Sequence, residues 1–182
     1  MNNAAASVPD EGGVRAFGAS LRTYTVTNGL SNNSVWALHE DSAGVLWIGT
    51  ERGLNRLQNG RFTAFTRENG LPNDLVNFIL EDDSGHLWIS HDLGIYRVAK
   101  QALNDVAMGK AHTIECVSYD EADGLASVET NGQKSQPAGL RTRDGRLWFA
   151  SVKGVVMIDP RQPPDITNAP TVLIEQIRPT AR

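Results

Sequence analysis

Three observations point to an all-β chain, a partial β-propeller of about three four-stranded blades, within these 182 residues. One motif occurs three times, running from Asp41 to Trp47-Ile48, from Asp83 to Trp88-Ile89 and from Asp144 to Trp148-Phe149. Trp47 and Trp88 lie 41 residues apart, and the same offset relates Gly29-Leu30 to Gly70-Leu71, Gly44 to Gly85, and Gly53 to Gly94. The runs between these markers have the length and pattern of strands. A period near 40 with that content marks a propeller blade.

The elements follow in chain order. Residues 21–26 read as a strand with no blade before it, because Tyr24 stands five residues before a Gly-Leu pair, as do Phe65 and Tyr119. This strand is expected to complete the last blade, the common way a propeller closes. Copy one offers strands at 35–39, 46–49, 53–57 and 62–66, with the acidic turn 40–44 between the first two and Asn59-Gly60 between the last two. Asn-Gly between alternating runs is the strongest short hairpin signal.

Copy two repeats the set at 76–80, 87–90 and 94–98, then delays its outer strand to about 112–119. In the intervening insert 99–111, Leu103, Val106 and Ala107 fall at helical spacing, which predicts a short amphipathic helix. Copy three has strands near 139–142, 147–150 and 154–158, with no obvious fourth before Pro160. Blades at about 21–66, 67–119 and 120–159 result.

The ends differ in composition. Residues 1–20 are small and polar and read as flexible; they lack the charged start and apolar stretch of a secretory signal, which implies a cytoplasmic chain if expressed as written. Residues 160–182 carry Pro163-Pro164 and then the β-prone run 172–177, a linker followed by the first strand of a β-sandwich.

Charge and composition exclude several classes. Seventeen Lys and Arg against 21 Asp and Glu give a net charge of −4, with no basic patch of the kind that binds nucleic acid. The single Cys116 rules out an intramolecular disulfide or a multi-cysteine metal site. No apolar run reaches the ~18 residues of a membrane span.

Gly29-Leu-Ser-Asn32-Asn33-Ser-Val through Leu46-Trp47-Ile-Gly-Thr50 to Gly53-Leu resembles the two-component regulator propeller repeat, and so does Gly70-Leu-Pro72-Asn73-Asp74-Leu-Val through Trp88 to Gly94. The third copy departs, with 24 residues from Gly124 to Trp148 against 18 in the others, and is similar to the terminal blade of such sensors. Residues 170–177 are similar to the start of the three-tyrosine domain that follows the propeller in the family. The resemblance implies a periplasmic sensor region ahead of a membrane span and a histidine kinase, hybrid kinase or diguanylate cyclase, often sensing saccharides. None of those output modules is in this sequence.

Candidate residues divide by how the repeat treats them. Trp47, Trp88 and Trp148 recur at one repeat position, which favours packing between blades over sugar stacking. Glu40-Asp41, Glu81-Asp82-Asp83 and Asp144 precede Gly turns and read as turn formers. His39 ends a short strand, which is not the long helix of a phosphoacceptor histidine. His86 and His91 lack the further ligands of a metal site, so neither a metal nor a cofactor is expected.

Ligand-binding candidates are the loops that share one end of the ring: Asn32, Asn33, Asn73 and Asp74, then Glu51, Arg52, His91, Asp92 and Lys153, together with Trp36, whose counterpart in copy two is Asn77. Variable polar loops on a rigid scaffold are where binding resides. The leading reading is a non-catalytic ligand-binding sensor module, for a small molecule or saccharide, with no catalytic residues of its own. Two others stand beside it: a fragment of a propeller lyase or glycosidase using His91 and Asp92, and an assembly unit in which further blades or a second copy complete a ring.

Overall fold

A computed structural model describes residues 21–130 and 137–162. The expected flexible segment 1–20 and the tail strand 172–177 lie outside these. The described residues form a partial propeller of three antiparallel sheets in chain order. Blade 1 holds β1 (Val35–Glu40), β2 (Leu46–Thr50), β3 (Gly53–Gln58) and β4 (Arg61–Phe65), paired in that order. Asn59 and Gly60 both take positive φ, 52° and 76°, as a two-residue type I′ turn demands, and they join β3 to β4.

Blade 2 holds β5 (Phe78–Glu81), β6 (His86–His91), β7 (Gly94–Ala99) and β8 (Cys116–Tyr119). Between its last two strands lies the expected helix, α1 (Lys100–Ala107), with Leu103 fully buried and Ala102, Val106 and Ala107 packed on the same core. Blade 3 holds β9 (Gly139–Arg141), β10 (Leu147–Ser151) and β11 (Gly154–Ile158), and no fourth strand is present among the described residues.

Three boundaries differ by more than one residue from the sequence expectation. Residues 21–25 form no strand; they run irregularly into a single 3-10 turn at Val26–Asn28. A strand needs a bonded neighbour, and β4 and β8 have one where residues 21–25 have none among the described residues. The inner strand of blade 2 starts at Phe78 rather than 76, since the Val76 N–H is given to Thr50 of blade 1 (3.0 Å). The outer strand starts at Cys116 rather than 112, because Ile114 donates instead to Asn69 O (2.7 Å).

Blades pack through one core per junction. Between blades 1 and 2, Trp47, Leu54 and Phe65 meet Ile79, Leu87, Ile89 and Tyr96. Between blades 2 and 3, Trp88, Ile95 and Tyr119 meet Leu147, Phe149 and Ile158. A carboxylate anchors each of the first two tryptophans. Asp82 accepts from Ser84 N (2.8 Å) and His86 N (2.9 Å) through one oxygen and from the Trp88 indole N–H (2.8 Å) through the other. Asp41 does the same for Ala43 N, Val45 N and Trp47 (2.9, 3.0 and 3.0 Å). Thr142 holds this position in blade 3, and Trp148 is half-buried with its indole N–H unpaired among the described residues.

The first junction also carries an ionic link. Lys100 reaches Asp41 of blade 1 (3.2 Å) and Glu81 of its own blade, while His39 of blade 1 contacts Glu81 (3.0 Å). Burial alone would lower the Lys100 pKa, but its bonds to Glu81 and Asp41 outweigh that and raise it.

These bonds make stability acid-sensitive. Burial pushes the Asp82 carboxyl up, yet the His86 and Ser84 N–H groups, the Trp88 indole and the His86 charge together hold it below its ordinary value. A depressed carboxyl contributes stability above its unfolded pKa, near 3.9, and loses that contribution as pH falls through the folded value. Asp82→Asn is expected to lower stability at neutral pH by about 1.5–3 kcal/mol and to flatten the acid limb. Urea unfolding at a series of pH values checks both, and an unchanged acid limb would count against the assignment.

Candidate functional site

The connections into each inner strand are built alike. Thr25, Thr66 and Asp120 each cap a 3-10 turn that ends on a Gly with left-handed backbone, Gly29, Gly70 and Gly124. The side chains after those glycines then fix the loop. Asn32 accepts from Ser34 N (2.7 Å), Asn73 from Leu75 N (3.0 Å) and Ser127 from Glu129 N (3.3 Å). One residue on, Asn33 accepts from Val26 N (2.9 Å) and Asp74 from Arg67 N (2.7 Å). These oxygens are therefore engaged by the loops' own backbone.

The β2–β3 loop comes to the same end. Glu51 donates its backbone N–H to Ser34 O (3.1 Å) and Gly53 donates to Asp74 O (2.6 Å). Glu51, Arg52 and Asp74 are thus brought together, with Ser31, Thr66, Arg67 and Glu68, around an open cleft of about 590 Å³ between blades 1 and 2. The cleft mixes two guanidinium groups, three carboxylates and two hydroxyls. Such a lining exchanges hydrogen bonds with a ligand rich in hydroxyls, each of which both donates and accepts.

Blade 2 places its candidates differently. The Asn73 amide donates to Asp92 (2.8 Å), so the two share one cross-loop bond. His91 is buried against the Tyr96 ring (5.6 Å between centroids), and its Nδ1 accepts from Leu93 N (3.2 Å). Burial lowers the His91 pKa more than nearby Asp92 raises it, which favours the neutral ring. The pair named for the lyase or glycosidase alternative therefore has a covered imidazole with one nitrogen occupied.

Lys153 is exposed on the blade 3 loop, away from the cleft's lining. Trp36 is half-buried on β1, beside Val35, Leu38 and Phe78 at a separate shallow site. Its counterpart Asn77 is buried and donates to Thr130 (3.4 Å), which donates in turn to His91 O (2.9 Å). Trp47 and Trp88 are fully buried, whereas Trp148 is not.

Arg67 and Glu68 were not among the sequence candidates. They occupy the 3-10 turn, a segment read as mere connection, yet the signal that singled out Glu51 and Arg52 applies to them. Their counterparts are Val26-Thr27 and Glu121-Ala122, different in every copy.

The model of the two component regulator propeller matches residues 29–52 and 70–92. These are two component regulator propeller repeats. The extracellular domain of a one component system from B. thetaiotaomicron is similar at 27% identity and a TM-score of 0.58, over 72% of this chain and 18% of that chain. The extracellular domain of a hybrid two component system from the same organism shares the fold at 20% identity and a TM-score of 0.59, over 77% and 19%. The chain thus spans under a fifth of either relative's length, at 18% and 19%. Virginiamycin B lyase from Staphylococcus aureus, at 13% identity and a TM-score of 0.44 over 72% of this chain and 43% of that one, is too distant to bear on activity. No curated protein matches the sequence. Among the described residues no helix is long and apolar enough to cross a membrane, which says nothing of a β-barrel.

Proposed function

We propose that the chain is a non-catalytic, ligand-binding part of an extracellular or periplasmic sensor, that a saccharide is the ligand class, and that a histidine kinase or diguanylate cyclase elsewhere in the parent protein receives the signal. The observation that carries this reading is the cleft between blades 1 and 2. Its walls are a repeated scaffold, while Glu51-Arg52 and Arg67-Glu68 change from copy to copy. A ligand lying there touches the loops of blade 1 and the connection into blade 2 at once, so its binding energy depends on how the two sit together. That dependence is what allows a ligand to shift a conformational equilibrium.

The test is calorimetric titration of the chain with neutral and uronic-acid oligosaccharides, with product analysis of the same mixtures. Binding without turnover is expected. Arg52→Ala should weaken it at least tenfold with little change in thermal stability, Arg52 being exposed. Cleavage or elimination of the bound sugar would favour the enzymatic reading, and binding indifferent to Arg52 would place the ligand elsewhere.

A further inference from the structure

Blade 3 ends in a face built to receive another blade. The residues with which blade 2 receives blade 3 include Leu80, Trp88 and Ile95, 8%, 0% and 0% exposed. The tryptophan register carries these onto Leu140, Trp148 and Val155 of blade 3, and Leu140 and Val155 are 52% and 64% exposed, with Met157 on the same side at 47%. At the opposite end, blade 1 exposes Leu38 (67%), the counterpart of Ile79 (3%), which blade 2 buries against blade 1. Among the described residues one chain therefore carries both halves of a blade junction, unused.

Blade 3 also keeps room for an outer strand. A Cβ built on Gly53 would lie 2.4 Å from Phe65 O, and one on Gly94 would lie 2.4 Å from Tyr119 O, because the outer strand ends against that glycine. Gly154 retains the same backbone, φ 132°, and has nothing within 4 Å among the described residues. The aromatic at the end of each outer strand lies against its blade's tryptophan, Phe65 beside Trp47 at 6.4 Å and Tyr119 stacked on Trp88 at 5.3 Å. Trp148 has no such partner among the described residues.

The matching segment exists at the other end of the chain. Residues 21–24 precede the Thr25-capped turn as β4 precedes the Thr66-capped turn and β8 the Asp120-capped turn. Tyr24 is the counterpart of Phe65 and Tyr119, yet it is 44% exposed and meets the edge of Phe62 rather than the ring of a tryptophan among the described residues. Within one chain the two ends are kept apart, since β1 packs on β5 and β5 on β9, with blade 2 between.

We propose that a second copy of this chain supplies residues 21–25 as the outer strand of blade 3 and seats its blade 1 on the Leu140, Trp148, Val155 and Met157 face. The register follows from the blades already complete. Leu54 pairs with Phe65 and Ile95 with Tyr119, so Val155 pairs with Tyr24 of the second copy. The contact is head-to-tail, and applied twice it closes two three-bladed chains into a six-bladed ring, within the four to eight blades that propellers use. This goes beyond the sensor reading and does not depend on it.

The test uses the whole chain. Light scattering should give the mass of two chains, constant over a wide concentration range. In a Cys116→Ala background, Tyr24→Cys with Val155→Cys should form an interchain disulfide on mild oxidation, and neither single cysteine should. Leu140→Asp, at a position exposed in the isolated chain, should weaken association at least tenfold with an unchanged circular dichroism spectrum. A single-chain mass at every concentration, a mass that keeps rising with concentration, a disulfide within one chain, or a dimer that does not cross-link overturns the proposal.

Discussion

Trp88→Ala is expected to cost about 3–5 kcal/mol of stability, the range for truncating a buried large aromatic. Few other side chains carry so much at once. Trp88 is wholly buried between blades 2 and 3, stacks on Tyr119, lies under the Arg97 guanidinium at 5.5 Å and donates to Asp82. Its removal leaves a cavity at a junction and strips a buried carboxylate of one donor. Since domains are commonly stable by only about 5–15 kcal/mol, the variant stands near the threshold of folding. Trp148→Ala, at the same repeat position but half-buried and without an indole partner among the described residues, should cost about 1 kcal/mol. Urea unfolding of both variants, each in the Leu140→Asp background that weakens association, gives the comparison. Equal shifts in midpoint would show that the repeat position, rather than the junction, sets the energy.

Gly94→Ala is expected to be nearly as damaging, by a different route. A side chain at φ 124° is strained whatever its surroundings, and such backbone costs about 1–3 kcal/mol. Here the new methyl would also lie 2.4 Å from Tyr119 O, a backbone atom with nowhere to go unless β8 moves. Gly154→Ala carries the same dihedral strain at φ 132° without the clash. The difference between the two variants in unfolding free energy isolates the outer strand's contact. Were Gly154→Ala as harmful as Gly94→Ala in the monomer, β8 would not be the cause.

The architecture was legible because it is written more than once. The 41-residue offset places the first three strands of blade 2 from those of blade 1, and Leu103, Val106 and Ala107 placed the helix. What escaped was set by partners far away in sequence. Val76 looks like the start of a strand, but its N–H is claimed by Thr50 of the neighbouring blade. Residues 21–25 have strand composition and no edge to lie on. At the candidate site, Glu51, Arg52 and Asp74 do converge, while Asn32 and Asn33 spend their side-chain oxygens on their own loops. His91 and Trp47 are both ring-bearing residues near polar loops, and only packing shows that each is buried.

The Asp82 grip bears on where this chain tolerates insertions. One carboxylate holds two backbone N–H groups of a tight turn and, six residues on, the indole that fills the next junction, so a single residue added between Asp82 and Ser84 would shift all three out of register. The same spacing recurs from Asp41 to Trp47. Length has instead been gained elsewhere, after β7, where α1 was accommodated at the rim, and before β9, where copy three is six residues longer than its predecessors. In blades 1 and 2 the turn from the carboxylate to the tryptophan is thus fixed in length, whereas the connections after β7 and before β9 accept new sequence.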